Sequence, residues 1–337
     1  MNKKVVVIGG GVIGCLSAIR LKEAGFSVTI IDKSEVGKES SWAGAGILFP
    51  LLPWDYDEKV YDLCSNTNIL YQTLTKYLLE ETGINTEFKK SGMLITGEVN
   101  KKKLISWANV NQFKFERKKV NDKEYLYFPE VSQIRPPNLM KALKKLIIKM
   151  EIEVIENVEM KPFIMKKKRI INWPNIQEID ITADYFVVTA GAWSGELLKE
   201  YKNKIYPIRG QMIQYKKNNL KLEHIYFSDN FYLLQRNDGV ILAGSTSEDV
   251  GFNTDVGEKS KKELKNKAEK LFSELKNIEI ENHWSGFRPG SDKNIPFIKR
   301  DDFYENLYIN SGHFRYGLSM APKAAEMLTE LLIKEVC

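Results

Sequence analysis

The stretch KVVVIGGGVIGCLSAIRLKEAGFSVTIID, residues 4–32, decides the fold. Its first five residues form an apolar, β-branched run that is typical of a buried parallel strand. Three glycines follow, and apolar residues then recur at helical spacing from Ile13 to Leu21. The run FSVTII predicts a second strand, which Asp32 closes. This order of strand, glycine turn, helix, strand and acid predicts a parallel α/β unit with a ligand site at the turn.

The glycine spacing within this unit is that of a dinucleotide-binding turn. Gly9 allows a tight turn, Gly11 lets the backbone approach a pyrophosphate, and Gly14 lets the helix pack closely on the strand. The helix N-terminus offers free N–H groups and a partial positive charge to phosphates. Asp32 can accept hydrogen bonds from ribose hydroxyls. The stretch therefore predicts a dinucleotide site, and it leaves NAD and FAD both open.

A second segment, VGKESSWAGAGILFPLLPW at residues 36–54, points to a large buried ligand. Small residues and hydroxyls are concentrated in residues 40–46, where the backbone can lie against a flat molecule. A flexible loop has the same composition. The apolar run from Ile47 to Trp54 favours a packed loop instead.

Asp32 followed by ESSWAGAGILFPLLPW resembles the D-amino-acid oxidase superfamily of FAD oxidoreductases, and within it the glycine oxidases of thiamine biosynthesis. The resemblance selects FAD and continues over most of the chain, in the blocks FVVTAGAWS (186–194), PIRGQ (207–211), YLLQRNDGVILAGST (232–246), HWSGFRPGSDKNIPFI (283–298) and GHFRYGLSMAP (312–322).

Four of the five blocks also have a local interpretation. The first predicts the last parallel strand, running into a Gly/Ala turn at the cofactor. The second predicts a turn into a strand, the third a hairpin around Asn237-Asp238-Gly239. The last predicts a strand over Leu307 to Asn310, a glycine loop, and a helix that carries Pro322 in its first turns.

The resemblance implies an α/β and α+β architecture, with a Rossmann-like FAD domain of the glutathione-reductase type and an antiparallel-sheet substrate domain. We expect residues 1–84, 140–205 and 290–337 to form the discontinuous FAD domain. Residues 85–139 and 206–289 would form the substrate domain, with a helix over Lys259 to Leu275.

The resemblance also implies a set of site residues. Arg288 would bind the substrate carboxylate, since a guanidinium offers two parallel hydrogen bonds. Tyr232 would add its hydroxyl, and Arg315 a second positive charge. A structural ion pair and a sheet-face aromatic are the alternatives for Arg288 and Tyr232. The implied cofactor contacts are Gly9, Gly11, Val12, Ile13, Gly14, Asp32, Lys33, Ser40, Ser41, Ala43, Gly44, Gly46, Ile47, Val158, Ala190, Gly191, Trp193, Gly210, His313, Phe314, Tyr316, Gly317 and Leu318.

The chain holds three histidines, and none is predicted to be a catalytic base. His313 is interpreted as a loop-fixing residue, and His224 and His283 as structural. No base is needed if the amine binds neutral and hydride passes directly from Cα to the flavin. Ser247 departs from the family, where a larger apolar residue is common near the substrate, and is expected to change the pocket.

Composition excludes several classes of protein. The three cysteines, Cys15, Cys64 and Cys337, are too sparse for a disulfide framework or a zinc site, so no metal is predicted. The covalent flavin of sarcosine oxidases needs a cysteine near the C-terminal flavin loop. The nearest cysteine here is Cys337, so FAD is predicted to bind noncovalently. The net charge of +6 does not require nucleic acid.

The predicted activity is oxidative deamination of glycine or another small amino acid, with dioxygen as acceptor and hydrogen peroxide as product. The expected setting is cytoplasmic, because the N-terminal stretch serves as a strand and not as a signal peptide and no span is long enough for a bilayer. A homo-oligomer is possible. Three alternatives stay open: a dehydrogenase that uses another acceptor, a tRNA-modifying FAD module, and a noncatalytic NAD- or FAD-binding regulator.

Overall fold

The computed structural model describes residues 3–50, 52–97, 99–120 and 122–336. Their strands are β1 (Lys4–Ile8), β2 (Ser27–Ile31), β3 (Ile47–Leu48), β4 (Lys89–Lys90), β5 (Met93–Thr96), β6 (Glu116–Val120), β7 (Lys123–Phe128), β8 (Ser132–Gln133), β9 (Glu153–Ile155), β10 (Ile164–Lys166), β11 (Arg169–Asn172), β12 (Tyr185–Val188), β13 (Tyr206–Tyr215), β14 (Ile225–Ser228), β15 (Phe231–Gln235), β16 (Ile241–Gly244), β17 (Ile280–Gly290), β18 (Phe297–Arg300) and β19 (Leu307–Ser311).

The α-helices of these residues are α1 (Val12–Glu23), α2 (Ser40–Ala43), α3 (Glu58–Cys64), α4 (Thr67–Thr82), α5 (Lys101–Val110), α6 (Pro136–Lys149), α7 (Ser194–Leu197), α8 (Glu258–Leu271) and α9 (Gly317–Val336). Short 3₁₀ helices include Gly191–Trp193 and Phe314–Tyr316. Of the helices in the described ranges, none is both long and apolar enough to cross a membrane.

The first sheet has the strand order β18-β19-β12-β1-β2-β9 within the described chain. β1 pairs in parallel with β2 and with β12, and β12 pairs in parallel with β19. The predicted βαβ unit at the N-terminus is thereby confirmed. The prediction that the 186–194 block is the last parallel strand is wrong, because β19 lies outside β12.

Both faces of this sheet are covered, which explains its continuous apolar strands. Helices α1, α6 and α9 pack on one face, where Leu16, Leu143 and Leu328 belong to a core that also takes in Val5 and Val7 of β1. On the other face, Val6 and Ile8 of the same strand join a core built from the segment that follows β9. Successive side chains of β1 therefore point to opposite faces of the sheet. Both faces are packed, which holds the carboxyl end of the strand in place.

The second sheet has the order β17-β13-β16-β15-β14-β5-β7-β6 in the described residues. The predicted hairpin around residues 237–239 is confirmed by the antiparallel pairing of β15 and β16. The sheet is antiparallel except that β5 and β14 run parallel. No tight turn joins these two strands, which lie far apart in sequence, so no hairpin dictates their direction.

The PIRGQ block lies inside a strand and not at a turn into one. β13 begins at Tyr206 and pairs with β17 on one side and β16 on the other. The predicted turn is wrong, because Pro207 already lies in the ladder with β17, opposite Pro289. Gly210 serves a close side-chain contact instead, described below.

The C-terminal strand, loop and helix are confirmed as predicted. β19 ends at Ser311, Gly312 has a φ of +87°, and α9 begins at Gly317. The domain division itself stays a prediction. The first sheet draws its strands from residues 4–31, 153–155, 185–188 and 297–311, and the second from 93–128 and 206–290.

Candidate active site

A cavity of about 370 Å³ lies between the two sheets. Its lining includes Ile8, Ile31 and Asn310 at the carboxyl ends of β1, β2 and β19, and Met212 and Tyr232 from the second sheet. Ligands of open α/β sheets bind outside the carboxyl ends of the strands, and the volume is within the range of ligand pockets. The cavity is therefore the candidate active site.

The glycine turn lies at one end of this cavity and is locked to β12. Gly9 has a φ of +110°, and its N–H donates to the Ile31 carbonyl at 2.7 Å. The Thr189 hydroxyl donates to the Gly9 carbonyl at 2.7 Å. A Cβ at Gly9 would lie 2.6 Å from the Thr189 carbonyl oxygen, and one at Gly14 only 1.9 Å from that of Gly9. Only glycine fits either position, so the turn keeps the N-terminus of α1 against the cavity.

Asp32 fixes the same turn from the end of β2. One carboxylate oxygen accepts the Gly10 N–H at 2.6 Å, and the other accepts the Ser34 N–H at 2.8 Å. Burial raises the pKa of this carboxyl, and the hydrogen bonds from Ser34 and Gly10 oppose that effect. The side chain lines the cavity, and its oxygens have lone pairs left for a ligand hydroxyl.

The loop that carries α2 closes one side of the cavity. Ser41 accepts the Val12 N–H at 2.9 Å, which covers the first turn of α1. Trp284 donates its indole N–H to the Ala43 carbonyl at 3.0 Å, and Ser40 donates to the Phe287 carbonyl. The loop is thus held between the first helix and β17, as a packed segment and not a flexible one.

An aromatic cluster lies beside the 3₁₀ helix Gly191–Trp193. The Lys33 ammonium is 3.5 Å from the centroid of the Trp193 ring, and Phe252 stacks on that ring at 5.0 Å. Phe287 meets it edge-on at 5.9 Å. A cation over an indole face is a stabilising arrangement. The cluster joins the end of β2 to β17 across the mouth of the cavity.

Arg288, on β17, is the main cationic group of the cavity. Its guanidinium donates to the Ser245 hydroxyl at 2.6 Å and to the Thr246 carbonyl at 3.1 Å. Burial lowers its pKa, and nearby Tyr232 opposes this effect while Arg315 adds to it. In the described part of the chain, no carboxylate forms an ion pair with Arg288 or Arg315. A buried guanidinium without a counterion is suited to an anionic ligand.

Tyr232 and Met212 lie on the same face of the second sheet, on either side of Gly244. The Tyr232 hydroxyl is 3.5 Å from the Met212 sulfur, which is a weak acceptor, and Tyr232 is only 8% exposed. Both residues line the cavity. The hydroxyl therefore keeps its capacity to bind a ligand.

His313 and Arg315 occupy the loop between β19 and α9. Burial lowers the pKa of His313 to about 3, so the imidazole is neutral at physiological pH. Its Nε2 and the Nε of Arg315 are buried and have no hydrogen-bond partner among the described residues. Polar atoms of this kind are rare inside proteins unless a ligand or water satisfies them.

All but one of the residues predicted for the site line this single cavity. Arg288, Tyr232 and Arg315 do so together with each predicted cofactor contact except Gly14. Gly14 lies beneath the turn against Gly9, in agreement with its predicted packing role. These placements leave open which residues contact the cofactor.

The expectation for Ser247 is wrong. Ser247 is exposed, whereas Ser245 lines the cavity and bonds to Arg288. The chain forms a bulge between Gly244 and Glu248, which places Ser245 beside Arg288. The sequence alone does not reveal this bulge. Sequence reasoning also missed Thr189, Met212 and Phe287, which line the cavity. Thr189 and Phe287 belong to quoted blocks and Met212 directly follows one, so a search of the positions next to the motif residues finds them.

The other two histidines lie elsewhere, as predicted. His224 contacts the Ser91 carbonyl at 2.7 Å and the Lys118 ammonium at 2.9 Å, and neither it nor His283 lines the cavity. Cys15 and Cys64 are buried, and Cys337, on which the prediction of noncovalent FAD depends, lies outside the described residues. No group of three or more potential metal ligands occurs within the described ranges.

The cavity has the features that FAD requires. Its glycine turn leaves no Cβ between the α1 N-terminus and the open space, and a carboxylate lies at the end of the adjacent strand. At the other end, buried nitrogens of His313 and Arg315 lack partners. These ends suit a pyrophosphate with its ribose and a polar ring system, respectively.

Comparison with known proteins agrees with this geometry. The family model described as FAD dependent oxidoreductase (DAO) matches residues 4–331. The glycine oxidase of Pseudomonas putida is 34% identical over 349 residues, which cover 98% of this chain and 95% of that protein. The bifunctional protein ThiO/ThiG of Trichormus variabilis is 28% identical, and the match covers 99% of this chain and 53% of that protein.

A solved structure shows the same fold. The glycine oxidase of Bacillus cereus superposes with a TM-score of 0.90 at 22% identity, covering 99% of this chain and 96% of that one. At that identity the superposition speaks for the fold, and the family follows from the sequence matches. The chain belongs to the DAO family of FAD-dependent oxidoreductases.

Proposed function

We propose that this FAD-dependent amine oxidase deaminates glycine or another small amino acid, such as sarcosine or a small D-amino acid. The products would be a 2-oxo acid, ammonia (or methylamine from sarcosine) and hydrogen peroxide. One observation carries the proposal: the Arg288 guanidinium lines the inter-sheet cavity, and no described carboxylate neutralises it. The relatives from Pseudomonas putida and Bacillus cereus are glycine oxidases.

In this proposal Arg288 binds the substrate carboxylate through two parallel hydrogen bonds. Tyr232 adds a hydroxyl to the same carboxylate, and Arg315 adds a second positive charge near the substrate. The large side chains of Phe49, Met212 and Tyr232 line the cavity near the anchor.

The cofactor would be held noncovalently by groups that the glycine turn and the C-terminal loop present. Gly9, Gly11 and the α1 N-terminus would bind the pyrophosphate, and Asp32 would bind the ribose. The residues from His313 to Leu318 would bind the polar edge of the ring system. When bound, FAD supplies the two-electron acceptor for oxidation of the amine.

The chain's own residues orient the substrate and do not need to remove a proton from Cα. His313, the histidine of the cavity, has a pKa of about 3, so it is poorly matched to acid or base catalysis near neutral pH. Substrate bound as a neutral amine requires no base. The imine product then reacts with water.

A biosynthetic role is also part of the proposal. The relative from Trichormus variabilis carries the name ThiO/ThiG, and this chain matches about half of its length. We infer that the product supplies synthesis of the thiazole of thiamine. A strain that lacks the protein should then need added thiazole for growth without thiamine.

Turnover with product analysis tests the activity. Wild-type holoenzyme in aerated buffer should form one 2-oxo acid and one hydrogen peroxide per amino acid consumed. A 2-oxo acid formed without peroxide, and only with an added electron acceptor, would identify a dehydrogenase instead. Absence of any product with glycine, sarcosine and small D-amino acids would overturn the proposed function.

A further inference from the structure

In the PIRGQ block only Gly210 lines the cavity, and the block lies directly behind Arg288. Residue Ile208 of β13 pairs with Arg288 of β17, which places Gly210 diagonally across from Arg288 on the same face. A Cβ at Gly210 would lie 2.4 Å from Nη2, 2.5 Å from Nη1 and 2.6 Å from Cζ of Arg288. The guanidinium thus lies flat on the bare backbone of Gly210.

The two protein partners of Arg288 come from the segment of residues 245–255, here called the anchor loop. Gly244 pairs with Met212, whereas Glu248 bridges to Arg209. Four steps along the loop therefore oppose three steps along β13, and this extra residue makes a β-bulge. The bulge presents the Ser245 hydroxyl and the Thr246 carbonyl to Arg288.

Arg209 and Gln211 hold the anchor loop in place. Arg209 is 8% exposed, and its backbone exchanges two hydrogen bonds with Glu248, both of 2.9 Å. Its guanidinium donates to the Glu248 carboxylate and to the carbonyls of Asn253 at 3.0 Å and Asp255 at 2.8 Å.

Gln211, only 1% exposed, fixes the part of the loop that bonds to Arg288. Its N–H donates to the Thr246 hydroxyl at 2.8 Å, and its side-chain amide donates to Glu248 at 2.9 Å. Three consecutive residues of β13 therefore set the position of Arg288. The Gly210 backbone contacts the guanidinium directly, and Arg209 and Gln211 act through the anchor loop.

We propose that Arg209, Gly210 and Gln211 are positioning residues that hold the Arg288 guanidinium in its carboxylate-binding orientation. The inference rests on the proposed function of Arg288. It assigns to these residues an effect on carboxylate binding and not on flavin binding or global stability. The Gly210→Ala clash falls on the far end of a flexible side chain, so that side chain moves aside while the sheet stays intact.

The test uses FAD-loaded wild type and the variants Arg288→Ala, Gly210→Ala, Arg209→Lys and Gly257→Ala. Acetate, a small carboxylate without an amino group, is titrated and its Kd is read from the change in the flavin spectrum. Gly257→Ala is the matched control, because a Cβ there meets nothing within 4 Å. Thermal midpoints and flavin content are measured on the same samples.

We expect Arg288→Ala and Gly210→Ala each to weaken acetate binding by about tenfold or more, since two charge-assisted hydrogen bonds are lost or misaligned. Arg209→Lys should weaken it less, because one ammonium cannot replace the planar fork. Gly257→Ala should match wild type. With an amino acid that the wild type oxidises, Gly210→Ala should raise KM far more than it lowers kcat.

Three outcomes would overturn the inference. One is wild-type acetate affinity in both Gly210→Ala and Arg209→Lys while Arg288→Ala loses binding. Another is a fall in thermal midpoint and flavin content that parallels the loss of acetate, which would show general damage. The third is a wild type that does not bind acetate. Failure of the proposed activity is scored separately, by whether wild type oxidises any amino acid.

Discussion

Two buried nitrogen-containing side chains line the same cavity, and one is charged while the other is neutral. Arg288 stays charged because a guanidinium has a very high ordinary pKa, even though burial lowers it. His313 is neutral because burial lowers its pKa to about 3 and no described acid opposes this effect. The cavity therefore offers positive charge from arginine and a neutral imidazole beside it.

The neutral state of His313 predicts an acid-sensitive stability. Its ordinary pKa of 6.5 applies to the unfolded chain, so between pH 6.5 and about 3 the unfolded state binds a proton that the folded state excludes. As the pH is lowered through this window, the free energy of unfolding should therefore decrease. This group contributes about 1.4 kcal/mol per pH unit. Replacing His313 with Asn should remove that contribution.

Urea unfolding of the holoenzyme checks this prediction. As the pH is lowered from neutral, the free energy of unfolding should decrease more in wild type than in His313→Asn. Any stability advantage of wild type should therefore shrink or reverse. Parallel pH profiles would show that His313 is not the cause. His313→Asn should also keep most of the turnover, whereas a complete loss would restore a catalytic role to this residue.

At the scale of elements, helix α9 contains a proline that the neighbouring helix α4 accommodates. Pro322 has no N–H, so it cannot donate to the Leu318 carbonyl four residues earlier, as another helical residue would. The Tyr71 hydroxyl of α4 donates to that carbonyl at 2.7 Å, and Tyr71 is fully buried. This contact holds the start of α9, which carries the lining residues Gly317 and Leu318.

Tyr71→Phe should therefore destabilise the protein by about 1–3 kcal/mol, the usual cost of leaving a buried carbonyl unpaired. Tyr77→Phe is the control on the same helix, because Tyr77 is 38% exposed. The midpoint of thermal unfolding should fall in the first variant and stay near wild type in the second. Equal midpoints in both variants would show that Tyr71 has no such role.

At the scale of the whole molecule, a buried arginine connects the α2 loop to the second sheet. Arg236 donates to the Ala45 carbonyl at 2.7 Å, the Ile134 carbonyl at 2.9 Å and the Gln133 side chain at 3.1 Å. Burial lowers its pKa to about 10, so it remains charged at neutral pH. The contact spans three segments that are distant in sequence and borders the cavity at Ala45.

Arg236→Ala should lower both stability and FAD affinity, because three buried acceptors lose their donor; we expect about 3 kcal/mol. Arg135→Ala is the control. Arg135 pairs with Glu87 and Asp238 nearby but is partly exposed, so its loss should cost less than about 1 kcal/mol. Thermal midpoints with and without excess FAD measure both effects, and similar losses in the two variants would contradict the prediction.

The features predicted correctly from sequence are local ones. The glycine turn, Asp32 and the 237–239 hairpin follow from spacing along a few residues. Gly210 on Arg288 and the Ser245 contact could not be derived, since β13, β16 and β17 come together only in the folded sheet. The expectation for Ser247 came from the family resemblance, whereas the bulge after β16, which brings Ser245 to Arg288, is not encoded in a local pattern.

Anaerobic reduction of the flavin tests the proposed activity and its anchor together. We predict that glycine, sarcosine or a small D-amino acid bleaches the visible flavin band of wild type without oxygen, and that air restores it. Arg288→Ala should need at least about tenfold more of the same amino acid, given the charge-assisted pair it lacks. If none of these amino acids bleaches the flavin, the proposed activity is wrong. If the same concentration bleaches Arg288→Ala equally well, Arg288 does not bind the substrate carboxylate.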